Sequence, residues 1–336
     1  MDVLKPLTVP VNRFAWVDYL KVFGTLCVLL GHCNLQGEAI TQWIFSFHMP
    51  LFFLISGFLY KPTGLKLCFV KSLKTLLLPY VLLNAICFAY FSYFALRDGY
   101  FNVSFIESRL GAIALGLGYS SGNLIPVCGP LWFLIALFVA KLLLSVCRLT
   151  VSQVFVSVLA IFVCAVLRFK HVDLLFPLDS VLLAFPFLVI GHHIKEVFSS
   201  VITKPIWQKL SSAVILFLIA GVIDRINGRV DINHTTWGND MLLFYICGVV
   251  FFLASFLVLS NLRPYKGLSL ISSCTMIVMG VGHILTPIVA NLYRGVVNIG
   301  TTTGVHGLLI ALIVMGVCVG LTFFAKKWCP AILGYR

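Results

Sequence analysis

The chain has 336 residues, of which 60% are hydrophobic and only 10% charged, and its mean hydropathy is +1.05. No water-soluble core needs that much apolar surface, so the composition excludes an ordinary soluble domain and points to a membrane protein. The 24 Lys and Arg against 11 Asp and Glu leave a formal net charge of +13, an excess that their positions explain without nucleic acid.

Apolar runs along the chain approach or exceed the roughly 20 residues that cross a bilayer as a helix, and the alternation of an outer-membrane barrel is absent. Met1 to Asn12 is short and polar, and no small-residue cleavage site follows the first apolar run, which therefore reads as a retained span. In chain order, spans are expected at roughly 14–35, 41–60, 74–95, 130–147, 151–167, 174–192, 209–226, 241–259, 268–290 and 304–325. The resulting fold class is all-α: one polytopic membrane domain over residues 1–336 with about ten transmembrane helices. With the N-terminus inside, fifteen Lys and Arg fall in cytoplasmic segments, among them Lys61, Lys71, Lys74 and Lys195, and seven fall opposite. That asymmetry places both termini in the cytoplasm.

The apolar segment Arg109 to Tyr119 is short and contains Gly111, Gly116 and Gly118. Counting it as a span breaks the charge alternation. It is expected to be interfacial or re-entrant within an external connection of about 96–129, long enough to help cover an acceptor site. The eleven cysteines are scattered through apolar runs without a CxxC pair, so they read as buried thiols.

The first span carries Asp18, Lys21 and His32 in an otherwise apolar run. Ionisable groups at membrane depth cost about 2.5–3.5 kcal/mol each on insertion scales and mark a pathway or site. Lys21 and His32 are eleven steps apart, which returns them to one helix face about 16 Å apart.

WVDYLKVFGTLCVLLGH in that span, FHMPLFFLISGFLY at 47–60, KSLKTLLLPY at 71–80, GPLWFLIALFVAKLLL at 129–144 and FPFLVIGHHIK at 185–195 together resemble the membrane acyltransferase 3 family, closest to its sugar O-acetyltransferase branch. SSCTMIVMGVGHILTP at 272–287 continues the resemblance more loosely. It implies a ten-span enzyme that moves an acetyl or related acyl group from cytosolic acetyl-CoA, or another acyl-CoA, to a carbohydrate hydroxyl on the far side. The implied partners are acyl-CoA, a carbohydrate acceptor and membrane lipid. The implied location is the plasma membrane, as in a bacterial inner membrane.

By that resemblance Lys21 and His32 match the family's basic residue, ten residues and histidine. His32 is the expected catalytic group, either as a general base on the acceptor hydroxyl or as a nucleophile that carries the acyl group itself. Lys21, Lys71 and Lys74 are expected to hold acyl-CoA, with lysine at 71 and 74 where the family often has arginine, whose planar fork grips phosphate in a way lysine cannot. Asp18 is an expected ion-pair partner for Lys21. On the acceptor side stand Glu38 in the turn after the first span, His48 at the start of the second, Trp132 entering the fourth and His283 near the external end of the ninth. His192 and His193 read as helix-end residues, and His171, His234 and His306 carry no assigned role. Ser56 and Gly57 read as helix-packing positions, since no GxSxG elbow accompanies them. No metal motif is present. A rival reading from another class is a transporter or flippase of a glycan precursor that uses Lys21, His32 and His283 as a pathway. Inverted repeats, which such a protein would favour, are not evident.

Overall fold

A computed structural model describes residues 14–33, 38–150, 152–170, 172, 174, 177–265, 267–299 and 302–334. Helices dominate, in keeping with a chain whose backbone must satisfy its own hydrogen bonds in lipid. In chain order they are α1 (Ala15–Gly31), α2 (Glu38–Phe45), α3 (His48–Phe58), α4 (Leu65–Ser72), α5 (Leu78–Arg97), α6 (Val103–Ala114), α7 (Trp132–Thr150), α8 (Gln153–Phe169) and α9 (Leu178–His193). There follow α10 (Lys195–Ile202), α11 (Ile206–Asn227), α12 (Met241–Leu259), α13 (Leu268–Ser273), α14 (Thr275–Ile277), α15 (His283–Val297) and α16 (Gly304–Trp328). A two-residue hairpin, β1 (Val230–Asp231) with β2 (Thr236–Trp237), joins α11 to α12.

Among the described residues, seven helical runs are long and apolar enough to cross a membrane: Ala39–Phe58, Leu65–Arg97, Gly129–Cys147, Ile206–Asn227, Met241–Leu259, Leu268–Val297 and Gly304–Trp328. The other three expected spans correspond to shorter apolar helices, α1 and α8 of 17 residues and α9 of 16. Two runs extend beyond their expected bounds. The third starts at Leu65 because α4 runs into α5 through a π-helical turn at Leu73–Leu77, and the ninth reaches Val297 through a second such turn at Val278–Gly282.

The second run is broken. Pro50 has no N–H to give Ser46, and its ring would clash with that residue's carbonyl in an unbroken helix, so α2 ends at Phe45 and α3 begins at His48. Ser46 turns instead to the buried carboxylate of Asp224 on α11, and Gln42 donates to the Asp224 carbonyl at 2.9 Å. His48 therefore sits in the middle of the run rather than at its start.

The core is built on α3, α9 and α12, whose Phe53, Phe185, Phe187, Phe244, Phe252 and Phe256 are fully buried. Gly57 of α3 and Gly191 of α9 let those two backbones touch, each facing a carbonyl of the other helix, Leu188 and Leu54 respectively. The outer helices expose apolar side chains instead: Phe155, Val158 and Phe162 on α8, Leu218 and Val222 on α11, Leu312 and Phe323 on α16. Water would oppose that surface, whereas lipid accommodates it. All eleven cysteines are free thiols, and every one but Cys329 is buried.

Candidate functional site

The C-terminal end of α1 brings His32 to a cavity of about 240 Å³. His32 caps the helix, its N–H shared between the carbonyls of Leu29 at 3.1 Å and Val28 at 3.3 Å. The side chain is accessible, and the space it faces is this cavity. His48 and His283 line the same cavity, so the structure brings together three histidines that lie far apart in the chain. The ring of Phe45 stands between the first two, 6.3 Å from His32 and 5.0 Å from His48, edge-on to both. His48 is buried, and its Nδ1 lies 2.8 Å from the Ile44 carbonyl. A carbonyl only accepts, so Nδ1 carries the hydrogen and Nε2 is left as the acceptor. His283 is the first residue after the π-helical turn Val278–Gly282, mid-run rather than at the external end, because α15 continues to Val297. With His32 it also lines an adjoining cavity of about 290 Å³ walled by Tyr90, Phe91 and Pro287.

The far wall of the first cavity comes from two connections. The α5–α7 connection contributes Gly118, which packs so closely on the Trp132 ring that a Cβ there would lie 2.6 Å from Trp132 Cδ1. Of the expected interfacial segment Arg109–Tyr119, the first half is the end of the 12-residue α6, which starts earlier at Val103; α6 is held by Arg109, which donates to the Ile125 and Pro126 carbonyls at 3.3 and 3.2 Å, and by Ser108, which donates to the Asn123 carbonyl. The β1–β2 hairpin contributes Asp231, Ile232, Asn233 and His234. Burial raises the Asp231 carboxyl above its ordinary value, while His234 and the Asn233 N–H, at 3.0 Å from Oδ1, pull it back.

A second cavity of about 310 Å³ lies along the N-terminal half of the same helix and is lined by Lys21 and Lys141, with Thr75, Ser272 and Ser273. Phe52, Phe133, Thr275 and Met279 line both this cavity and the histidine cavity, so the two meet end to end at one constriction. Thr275 is fixed there by a 2.9 Å hydrogen bond with Thr25 of α1. Thr75 and Lys141 also face a third space of about 390 Å³ with Lys61 and Lys71. Lys71, Lys61, Lys141 and Lys21 thus form a basic route leading up to the constriction.

Of the other expected site residues, Lys74 and Asp18 lie outside the linings described. Lys74 is exposed, lies within the π-helical turn that follows Lys71, and stands apart from the linings described for these cavities. Asp18 is buried and accepts a 2.6 Å hydrogen bond from Ser272, which ties α1 to α13. The Glu38 side chain lies outside the described residues, as does His171. Sequence reasoning missed Lys141, although a lysine inside FLIALFVAKLLL carries the same signal that singled out Lys21. It also missed Asp231 and His234, for which no local signal exists.

The family model described as an acyltransferase domain matches residues 14–325. No curated protein and no solved structure matches the chain.

Proposed function

The chain belongs to this acyltransferase family, and we propose that it is a membrane O-acyltransferase taking an acetyl or related acyl group from cytosolic acyl-CoA to a carbohydrate hydroxyl on the opposite side. The observation that carries this reading is the pair of cavities meeting at Phe52, Phe133, Thr275 and Met279, with lysines on one side and histidines on the other. Lysine ammonium groups suit the phosphates of CoA, and a cavity of histidines suits a hydroxyl that must lose its proton.

In this reading Lys61, Lys71, Lys141 and Lys21 receive the CoA phosphates, and the pantetheine arm passes the constriction so that the thioester reaches His32. If His32 acts as general base, it takes the proton of the acceptor hydroxyl as the oxygen attacks the thioester carbonyl. The C–S bond then breaks, and the sulfur leaves as CoA thiol with that proton. If His32 acts as nucleophile, the acyl group rests on its imidazole between two such displacements. His48, with its ring oriented by the Ile44 carbonyl, and His283 flank the reacting atoms. The charge asymmetry of the loops supports ten spans with both termini cytoplasmic, which puts the lysine cavities on the CoA side. The acceptor is then a cell-surface glycan or its lipid-linked precursor, and the location is the plasma membrane, as in a bacterial inner membrane.

The test is release of CoA from labelled acetyl-CoA by membranes containing the wild type or His32→Ala at equal expression, with a crude surface-glycan fraction as acceptor. A positioned base or nucleophile contributes typically about 10²–10⁴-fold, so the variant should lose at least about two orders of magnitude. Full turnover in His32→Ala removes that residue from the mechanism. Consumption of no acyl-CoA by the wild type with any acceptor removes the reaction.

A further inference from the structure

The connection between α11 and α12 is more firmly mounted than a simple link requires. Asn227 closes α11 and anchors both ends of the hairpin: its side chain donates to the Trp237 carbonyl at 2.7 Å and accepts from the Asp240 N–H at 2.8 Å, while its carbonyl accepts from Asn239 at 2.7 Å. Gly238, at φ +83°, lies so close against Asn227 that no Cβ fits. Strand pairing sets Val230 opposite Trp237 and Asp231 opposite Thr236, and the turn holds Thr235 at φ +51°, a left-handed conformation that a β-branched residue adopts only when its surroundings impose it. Val230 and Ile232 are buried in the bundle, and Ser180 of α9 donates to the Asn233 carbonyl at 3.3 Å. The tip is thereby fixed over the histidine cavity, with the rings of His234 and Tyr119 4.4 Å apart at its rim.

Two features of that cavity bear on what enters it. Trp132 lines the cavity beside the hairpin, with Gly118 packed against both its ring and the Asn233 side chain, and an indole face suits the C–H face of a pyranose. Among the described residues the lining contains neither lysine nor arginine, and its one carboxylate is Asp231. Arg229 is exposed and lies outside the lining. The lysine-lined cavities described above lie beyond the constriction.

Resting on the acyl-transfer reading, we infer that the 230–237 hairpin selects the acceptor, with Asp231 as its specificity residue, and that the acceptor is a neutral or amino-bearing sugar rather than an acidic one. Asp231 accepts hydrogen bonds from sugar hydroxyls or an ammonium group while Trp132 carries the ring. A uronate or sialate would set its carboxylate against Asp231 with no lysine or arginine among the described lining residues to offset it, and the imidazole beside it, His234, already stands 3.9 Å from the Asp231 carboxylate; such like-charge placement is how binding sites reject the wrong partner.

The test offers three acceptor probes to membranes holding the full chain and labelled acetyl-CoA: methyl glucoside, methyl glucosaminide and methyl glucuronide. The glucoside and glucosaminide should be acetylated, and the glucuronide used at least about tenfold less efficiently in kcat/KM. Asp231→Asn keeps an oxygen for the Asn233 N–H and so preserves the turn. It should raise KM for the glucoside about tenfold at nearly unchanged kcat, and should narrow the gap to the glucuronide. His32→Ala should instead lower kcat, which separates selection from chemistry. Equal use of glucuronide and glucoside, or an Asp231→Asn variant with unaltered KM and unaltered preference, overturns the inference. So does acetylation of the crude glycan fraction by a wild type that leaves all three glycosides untouched. Absence of CoA release with every acceptor defeats the acyltransferase reading itself, and the inference with it.

Discussion

Gly57→Ala should unfold this protein more easily by a margin that the backbone contact sets. A Cβ at Gly57 would point at the Leu188 carbonyl, 2.9 Å from its carbon and 3.0 Å from the His192 nitrogen. At Gly191 it would point at the Leu54 carbonyl, 2.8 Å from its carbon and 2.9 Å from its Cα. Ordinary contact lies near 3.5–4.0 Å and each carbonyl oxygen stands nearer than its carbon, so α3 and α9 must part by more than about 1 Å, and neither obstacle is a side chain that can swing aside. Overpacking costs about 1–3 kcal/mol where neighbours can adjust; backbone against backbone puts this site near the upper end, about 3 kcal/mol. Gly221 in α11 and Gly316 in α16 have nothing within 4 Å of the point where an alanine methyl would stand, so alanine there should recover about 0.8–1.0 kcal/mol of helix propensity. The two substitutions thus differ in sign, and by about 4 kcal/mol in total. Because ten of the eleven thiols are buried, a thiol-reactive fluorophore reports unfolding of the detergent-purified protein directly. If Gly57→Ala and Gly221→Ala melted at the same temperature, the close crossing of α3 and α9 would be wrong.

The basic route offers two further tests. Lys141→Met keeps the length and removes the charge from the lower cavity; loss of one charge-assisted contact to phosphate, about 2 kcal/mol, should raise KM for acetyl-CoA roughly thirtyfold and leave the acceptor KM unchanged. An unaltered KM for acetyl-CoA would take Lys141 out of donor binding. Lys71→Gln should likewise raise that KM, whereas Lys74→Gln should change it less than about twofold, because Lys71 lines the third cavity and Lys74 lines none of those described; equal effects from both would mean that the two lysines are not separated as the structure has it.

Much of this architecture is written in local sequence, and the exceptions have physical causes. Apolar runs and the charges buried in them mark the helices and pick out Lys21 and His32, because burying charge in a span is costly wherever it occurs. Lys141 was equally legible by that rule. The span expected at 41–60 matches the run Ala39–Phe58, and Pro50 signalled a disturbance within it, but only the folded chain shows the break at Ser46 and Phe47 that divides the run. The two π-helical turns left no such mark. They depend on an extra residue being accommodated by packing, and the first of them holds Lys74, which lines no described cavity, just after Lys71, which does. Asp231 and His234 sit about two hundred residues beyond His32 in a polar loop, where a carboxylate and an imidazole are unremarkable. Their place in the cavity follows from the α11–α12 packing and from the anchoring of the hairpin on Asn227, a tertiary fact with no short-range signature.

The three histidines share a further feature that explains why the cavity lies where it does. His32 is the cap that ends α1, His48 opens α3 just after the break at Ser46 and Phe47, and His283 opens α15 just after the π-helical turn at Val278–Gly282. A regular helix presents side chains to a packed neighbour and seals its own backbone. An interrupted one leaves backbone groups to be satisfied and space where a turn would have continued, and lipid tolerates neither. Interruptions at membrane depth are therefore stable only where they are buried in protein or line a cavity that admits polar groups. Here the freed positions are met by polar partners: Ser46 by Asp224, the Met279 carbonyl by the Cys128 thiol at 3.1 Å, and the Gly282 carbonyl by Thr286 at 2.8 Å. Three interruptions converging on one cavity concentrate the polar and irregular backbone of the bundle at the place where a hydroxyl, a thioester and a transferred proton have to meet. The uninterrupted helices α8, α11, α12 and α16 contribute no side chain to the cavity's described lining and keep their polar residues to their ends or to the packed interior.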